Sequence, residues 1–207
     1  MTAGRVIRSF AAPGTTTADL AFDGHVLWCV DYSAGLFYQI DAVSGRVLCS
    51  LSSPVVGCYG LTLISGHIWL SAVSSLLLYE VDAVSGRVIR SMPAPGSVPF
   101  ALDFDGRALW HVDRGTDTIY QLDVTTGTII RSMATPSGNG FGVASDGRTL
   151  WHTDHVLAKL YQINVQTGQT IRSFSTPGSI PTGLAFSGRS LWLGDDGSDL
   201  IYEIAVD

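Results

Sequence analysis

Acidic side chains recur in step along this chain. Asp31, Asp113, Asp154 and Asp195 each stand three residues after a tryptophan. Carboxylates gathered from separate segments would hold a hard divalent cation through oxygen ligands. An aspartate at a strand end also has a local use, accepting hydrogen bonds from the turn that follows. Ala72 breaks the series, and carboxylates spread over separate segments fit the local use better, so no metal is expected. His111 and His152 directly follow tryptophans, and two imidazoles would begin a zinc site. Cys29, Leu70 and Leu193 fill the same place, which marks a packed, mostly apolar environment, and no third ligand is visible. His155 beside Asp154 is a freer pair, but a histidine–aspartate pair alone does not make a catalytic group.

Aromatic residues offer a different chemistry. Tyr59, Phe100 and Phe141 share one position, held elsewhere by Ala18 and Thr182. Exposed rings would stack on a sugar or another planar group; the competing account is packing within the core. With Arg114, His155 and Asp196, which fall in variable segments, they form the candidate ligand-binding set. Arg8, Arg90, Arg131 and Arg172 also share a position and read as solvated residues on an outer strand, discouraging association through that edge. No GxSxG, HExxH or glycine-rich phosphate loop is present, so no catalytic residue and no cofactor are assigned.

These residues are placed by a repeat. Trp28, Trp69, Trp110, Trp151 and Trp192 are all the tryptophans, and each follows the last by 41 residues. The same step relates Tyr38 to Tyr202, Pro13 to Pro177 and Gly4 to Gly168, the repeats starting near Gly4, Gly45, Gly86, Gly127 and Gly168. Five such copies fill nearly all of the 207 residues, so residues 1–207 form a single domain. Each copy reads as four short strands A to D separated by turn residues. In the third copy these are Phe100–Phe104, Ala108–Asp113, Thr118–Asp123 and Ile129–Met133, with Asp105-Gly106 as a tight turn. Four antiparallel strands per copy predict an all-β, five-bladed propeller. The chain begins in a strand D and ends in a strand C, so the N-terminal strand is expected to complete the last blade beside Ile201–Val206 and hide its edge.

Composition agrees. The chain is 46% hydrophobic and 14% charged, against about a quarter charged in ordinary domains, as expected of sheets buried on both faces. Its 23 glycines supply turns. A net charge of −6 argues against a nucleic-acid partner, and no apolar run approaches the ~20 residues of a membrane helix. Cys29, Cys49 and Cys58 read as free thiols, favouring a reducing compartment. No signal peptide is read, so a complete chain would be cytoplasmic.

The stretch Pro181-Thr-Gly-Leu-Ala-Phe-Ser-Gly-Arg-Ser-Leu-Trp192, followed by Ile201-Tyr-Glu-Ile204, and the turn Asp82-Ala-Val-Ser-Gly86 resemble the repeats of streptogramin-lyase-like bacterial propellers. The resemblance spans the chain, but its motifs are structural. It implies the propeller fold and places any catalytic histidine and glutamate near the axis of what are larger rings. Glu80 and Glu203 are the only glutamates here, at one strand C position shared with Gln39, Gln121 and Gln162, so no catalytic residue carries over.

The A–B and C–D turns are nearly constant among copies, whereas the B–C and D–A connections on the opposite face diverge. Variable loops on a rigid frame point to binding, although drift in unconstrained loops gives the same pattern. Three functions follow. One is a non-catalytic, monomeric binding or scaffold propeller that takes a small molecule, glycan or protein on the variable face, as lectins do. Another is a lyase or hydrolase, with His155, Asp154, Asp195 and Asp196 converging at the channel mouth. The third is an engineered or recently amplified scaffold without a dedicated ligand.

Overall fold

The computed structural model describes residues 4–206. It contains twenty strands and, among the described residues, no helix. The chain opens with β1 (Val6–Ala11). Blade one follows as β2 (Thr17–Phe22), β3 (Val26–Asp31), β4 (Leu36–Asp41) and β5 (Val47–Ser52). Blade two is β6 (Cys58–Ile64), β7 (His67–Ala72), β8 (Leu77–Asp82) and β9 (Val88–Pro93). Blade three is β10 (Pro99–Phe104), β11 (Leu109–Asp113), β12 (Thr118–Leu122) and β13 (Ile129–Ala134). Blade four is β14 (Gly140–Ser145), β15 (Thr149–Asp154), β16 (Lys159–Asn164) and β17 (Thr170–Ser175). Blade five is β18 (Pro181–Phe186), β19 (Ser190–Asp195) and β20 (Leu200–Ala205), completed by β1. The pairing of β1 with β20 runs from Val6 against Ile204 to Ala11 against Leu200. The expected five-bladed ring with its N-terminal closing strand is therefore observed.

Burial falls from the axis outward, which explains the sequence pattern. The innermost strands and their neighbours are buried on both faces, so β2, β11 and β19 read as near-continuous apolar runs. The outermost strands are mostly exposed. Each tryptophan lies on the second strand between neighbouring sheets; Trp69, Trp110, Trp151 and Trp192 are at most 1% exposed. Every innermost strand carries a register shift near its start. At that point stand Asp19, Gly60, Ala101, Gly142 and Gly183, one per blade. Small residues are needed there. A Cβ on Gly183 would fall 2.2 Å from the Asp19 Cα, and one on Gly60 2.1 Å from the Phe100 carbonyl oxygen.

Asp19, the one long side chain in this set, fills the axis. Its Oδ2 accepts from the Leu61 N–H at 3.0 Å and the Leu102 N–H at 3.1 Å, while Oδ1 accepts from Leu20. Burial drives the carboxyl well above the usual range, against these donors and with the help of Asp103. Hydroxyls join other neighbours: Thr153 Oγ1 accepts from Gly142 and donates to the Thr182 carbonyl, and Ser71 does the same between Gly60 and Phe100.

Two details differ from the sequence expectation. The arginines on the outer strands are not simply solvated. Arg8, Arg90 and Arg172 lie over Trp192, Trp69 and Trp151 at 5.0–5.4 Å. Arg8, Arg90, Arg131 and Arg172 each donate to a C–D turn carbonyl of the next blade, or to Val206 in the last case. A long stem along apolar surface with a forked head suits this bridging role. The second difference is in the A–B turns. Asp105-Gly106 belongs to a four-residue connection, 105–108, rather than a two-residue turn. Only blade two has the tight form, Ser65-Gly66, with φ of 52° and 84°, the paired left-handed geometry of a type I′ hairpin. Ser65 is thus displaced by one residue from Asp23, Asp105, Asp146 and Ser187, and Ile64 is their counterpart.

Candidate functional site at the mouth of the axis

The variable face is built on the aspartates that end the second strands. Asp31 accepts from the Ser33 and Ala34 N–H groups at 3.0 and 2.9 Å, and Asp154 from Val156 and Leu157 at 2.8 and 2.6 Å. Asp113 holds Thr116 and Val98, and Asp195 holds Ser198 and Ile180, tying the B–C turn to the D–A loop. Each carboxylate serves its own blade, as the turn reading required. His111 and His152 are buried, with Nδ1 against the Ala101 and Gly142 carbonyls at 3.3 and 2.9 Å. Burial lowers both to about 4, so they are neutral core imidazoles at neutral pH.

The residue after each aspartate, or after Ala72, opens the B–C connection on the variable face. This set reads Tyr32, Val73, Arg114, His155 and Asp196. Beneath it lies the set Ala18, Tyr59, Phe100, Phe141 and Thr182 at the start of the innermost strands. A line of rings crosses the mouth. Tyr32 stacks on Tyr59 at 4.5 Å, Tyr59 meets Phe100 at 4.6 Å, and Phe100 meets Phe141 edge-on at 4.7 Å. Phe141 then stacks with His155 at 5.1 Å, and the Arg114 guanidinium lies 5.6 Å from the Phe100 ring centre. Phe100 and Phe141 are each 5% exposed, so they form the floor. The half-buried Tyr32 and Tyr59 form its accessible part.

The polar tips around this floor are not consumed by the fold. Among the described residues no group accepts a hydrogen bond from the Arg114 guanidinium. His155 donates from Nδ1 to the Pro181 carbonyl at 3.3 Å, which leaves Nε2 as an acceptor. Burial, with Arg114 nearby, lowers His155, so its ring is neutral at neutral pH. Asp196 receives the Thr17 N–H, yet its Oδ1 is buried without a partner. Burial and the neighbouring Asp195, Asp199 and Asp31 raise it to about 7. Thr182 Oγ1 is another buried atom without a partner.

Five of the sequence candidates, Tyr59, Phe100, Phe141, Arg114 and His155, thus lie in one chain of contacts, with Asp196 in the same ring of positions. Tyr32 was missed, because no other copy carries a tyrosine or phenylalanine at its position. The placement of Asp154 and Asp195 in turns removes them from the acid–base set, leaving His155 and Asp196 on the mouth. Among the described residues no group of three histidine, cysteine, aspartate or glutamate side chains is arranged to hold a metal ion. The cysteines are unpaired, and among the described residues no helix is long and apolar enough to cross a membrane.

No protein-family model matches the sequence, and no curated protein sequence is similar to it. Solved structures share the architecture. Glutaminyl cyclase from Myxococcus xanthus superposes with a TM-score of 0.80 at 14% identity, over 98% of this chain and 96% of that one. An inactive H270A virginiamycin B lyase from Staphylococcus aureus, solved with quinupristin, gives a TM-score of 0.60 at 17% identity, over 96% of this chain and 83% of that one. The computationally designed Ika8 protein gives 0.56 at 17% identity, over 92% of this chain and 58% of that one. At such identities the likeness is one of fold.

Proposed function

We propose that this chain is a monomeric ligand-binding propeller whose site is the axial mouth on the variable face. One observation carries the reading: a frame that repeats closely elsewhere presents five different side chains at one ring of positions above an aromatic floor, with the Arg114 guanidinium, the His155 Nε2 and the Asp196 Oδ1 left without a hydrogen-bond partner among the described residues. Arg114 offers a forked donor to an anionic or carbonyl group. Asp196 and the His155 Nε2 accept from hydroxyl or amino groups, and Tyr32 and Tyr59 provide a face for a planar body or sugar ring. A small molecule, a glycan or an exposed tip of a protein meets these demands; a polyanionic nucleic acid does not. The test is a small-molecule thermal-shift screen with a glycan array, repeated on Arg114→Ala and Asp196→Asn. Hits weakened roughly tenfold, about 1.4 kcal/mol, support the site. Blank screens, or hits indifferent to both changes, overturn it.

A second reading rests on protonation. A neutral imidazole and a carboxyl near 7 on one rim have the complementary states of a general base and acid at neutral pH. A glutaminyl cyclase and a virginiamycin B lyase are among the solved structures that share this architecture. It requires turnover of a compound found in the screen, lost in both His155→Ala and Asp196→Asn. Binding without turnover leaves the first reading alone.

A further inference from the structure

Three blades hold a carboxylate against their tryptophan, and blade five does not. Nε1 of Trp28, Trp110 and Trp151 donates to Oδ2 of Asp23, Asp105 and Asp146 at 3.3, 2.8 and 3.1 Å. The other carboxylate oxygen takes the N–H groups of the next turn residues: His25 and Val26, Arg107 and Ala108, Arg148 and Thr149. In blade five the counterpart is Ser187. Its hydroxyl engages Ser190, and Trp192 Nε1 is left buried with no acceptor. A buried donor without a partner is costly. Trp69 shares this lack, but in blade two the corresponding residue is Ile64, which packs against the cluster containing Trp69.

At blade five the surroundings are open and mixed, with Phe22, Val26, Ala42 and Val43 beside polar side chains. A groove of about 640 Å³ runs between blades five and one, lined among others by His25, Ser187, Arg189, Ser190, Trp192 and Glu203. Glu203 is already engaged: Oε2 pairs with Arg8 at 2.6 Å and Oε1 accepts from Ser190 at 2.6 Å. The Arg8 guanidinium also covers the Trp192 ring at 5.1 Å.

We propose that this groove binds a small organic carboxylate. One carboxylate oxygen takes the place that Asp146 Oδ2 holds in blade four, accepting from Trp192 Nε1. The other accepts from the Arg189 N–H, whose counterparts in blades one, three and four donate to the aspartates. Of the charged groups lining the groove, Glu203 is paired with Arg8 and Asp41 opposes an anion, while the Arg189 side chain favours a charged ligand over a neutral carbonyl. The chain thus contains its own bound forms, in which the carboxylate is supplied covalently. The site lies on the A–B turn face, opposite the axial mouth, so its success or failure is independent of binding there.

Indole N–H resonances give a direct test. The five tryptophans are followed by ¹H–¹⁵N correlation spectra during titration with sodium acetate, against sodium chloride and acetamide as controls. The Trp192 resonance is expected to shift saturably with acetate alone. The pair Ser187→Asp with Glu203→Gln copies the Asp146–Gln162 arrangement and should abolish the response. Conversely, Asp146→Ser should make Trp151 responsive. A silent Trp192, an equal response to acetamide, a response that survives the paired change, or a silent Trp151 in Asp146→Ser overturns the proposal.

Discussion

Asp19 Oδ2 accepts the Leu102 N–H at 3.1 Å, a bond that links blade one to blade three across the axis. The same oxygen takes Leu61 of the intervening blade. One side chain therefore fastens three blades. Asp19→Ala leaves these N–H groups buried without an acceptor, at roughly 1–3 kcal/mol each. A loss of about 2–5 kcal/mol is expected in urea denaturation, with Asp19→Asn costing less because its amide oxygen still accepts. Equal, negligible effects would show that the axis does not depend on this group.

Asp103 should make stability depend on pH. Its Oδ2 accepts from Ser145 at 2.6 Å, and burial nevertheless raises it to about 7. Between its unfolded value near 4 and 7 the folded chain binds the extra proton, so this contribution falls as pH rises through that window. Asp103→Asn should therefore raise the melting temperature at pH 8, with the gain vanishing below about pH 4. His111 and His152 act oppositely: lowered to about 4, they favour the folded state more as pH rises from 4 to about 6.5. A gain for Asp103→Asn that persists unchanged at low pH would contradict this assignment.

Cys49 marks a missing bridge. It is exposed and stands where Arg8, Arg90, Arg131 and Arg172 stand in the other copies. Cys49→Arg places a guanidinium near Gln39, Trp28 and the turn of blade two, and a gain of about 0.5–1 kcal/mol is expected. Arg90→Ala should lose a similar amount, modest because the side chain is partly exposed. Chemical denaturation midpoints check both signs.

Removing residues 1–12 deletes β1 and leaves β20 with unpaired N–H and C=O groups at an open edge. The shortened chain should melt lower and associate, either by aggregation or by exchange of strands. Size-exclusion chromatography and thermal melting decide it. A monomer that melts like the parent would show that closure through Val6–Ala11 contributes nothing.

The architecture was legible because the 41-residue step fixes which residues share a place. Phe100 and Phe141 were likewise legible as equivalents. The sequence could not say that they meet edge-on, because that depends on how neighbouring blades three and four pack together. The bridging arginines were misjudged for a related reason: Arg90 reaches Thr125 and Val124 in the next blade, a contact between copies that comparison within a copy does not reveal. Trp192 is the instructive case, since the change from aspartate to serine at 187 was plainly visible. Only the folded blade connects that change to an indole N–H five residues later.

The seam has a mechanical consequence. Gly4 N–H donates to the Ala205 carbonyl at 2.9 Å, and β1 runs antiparallel to β20 from that point. Force applied at these two residues would load the hydrogen bonds one pair at a time, starting at Gly4 and Ala205, instead of shearing them together. The ring should therefore peel open under small loads at its seam, while tension applied across any other blade meets strands that are joined by turns. Pulling at the seam would, by this route, unlatch the ring without unfolding the other blades.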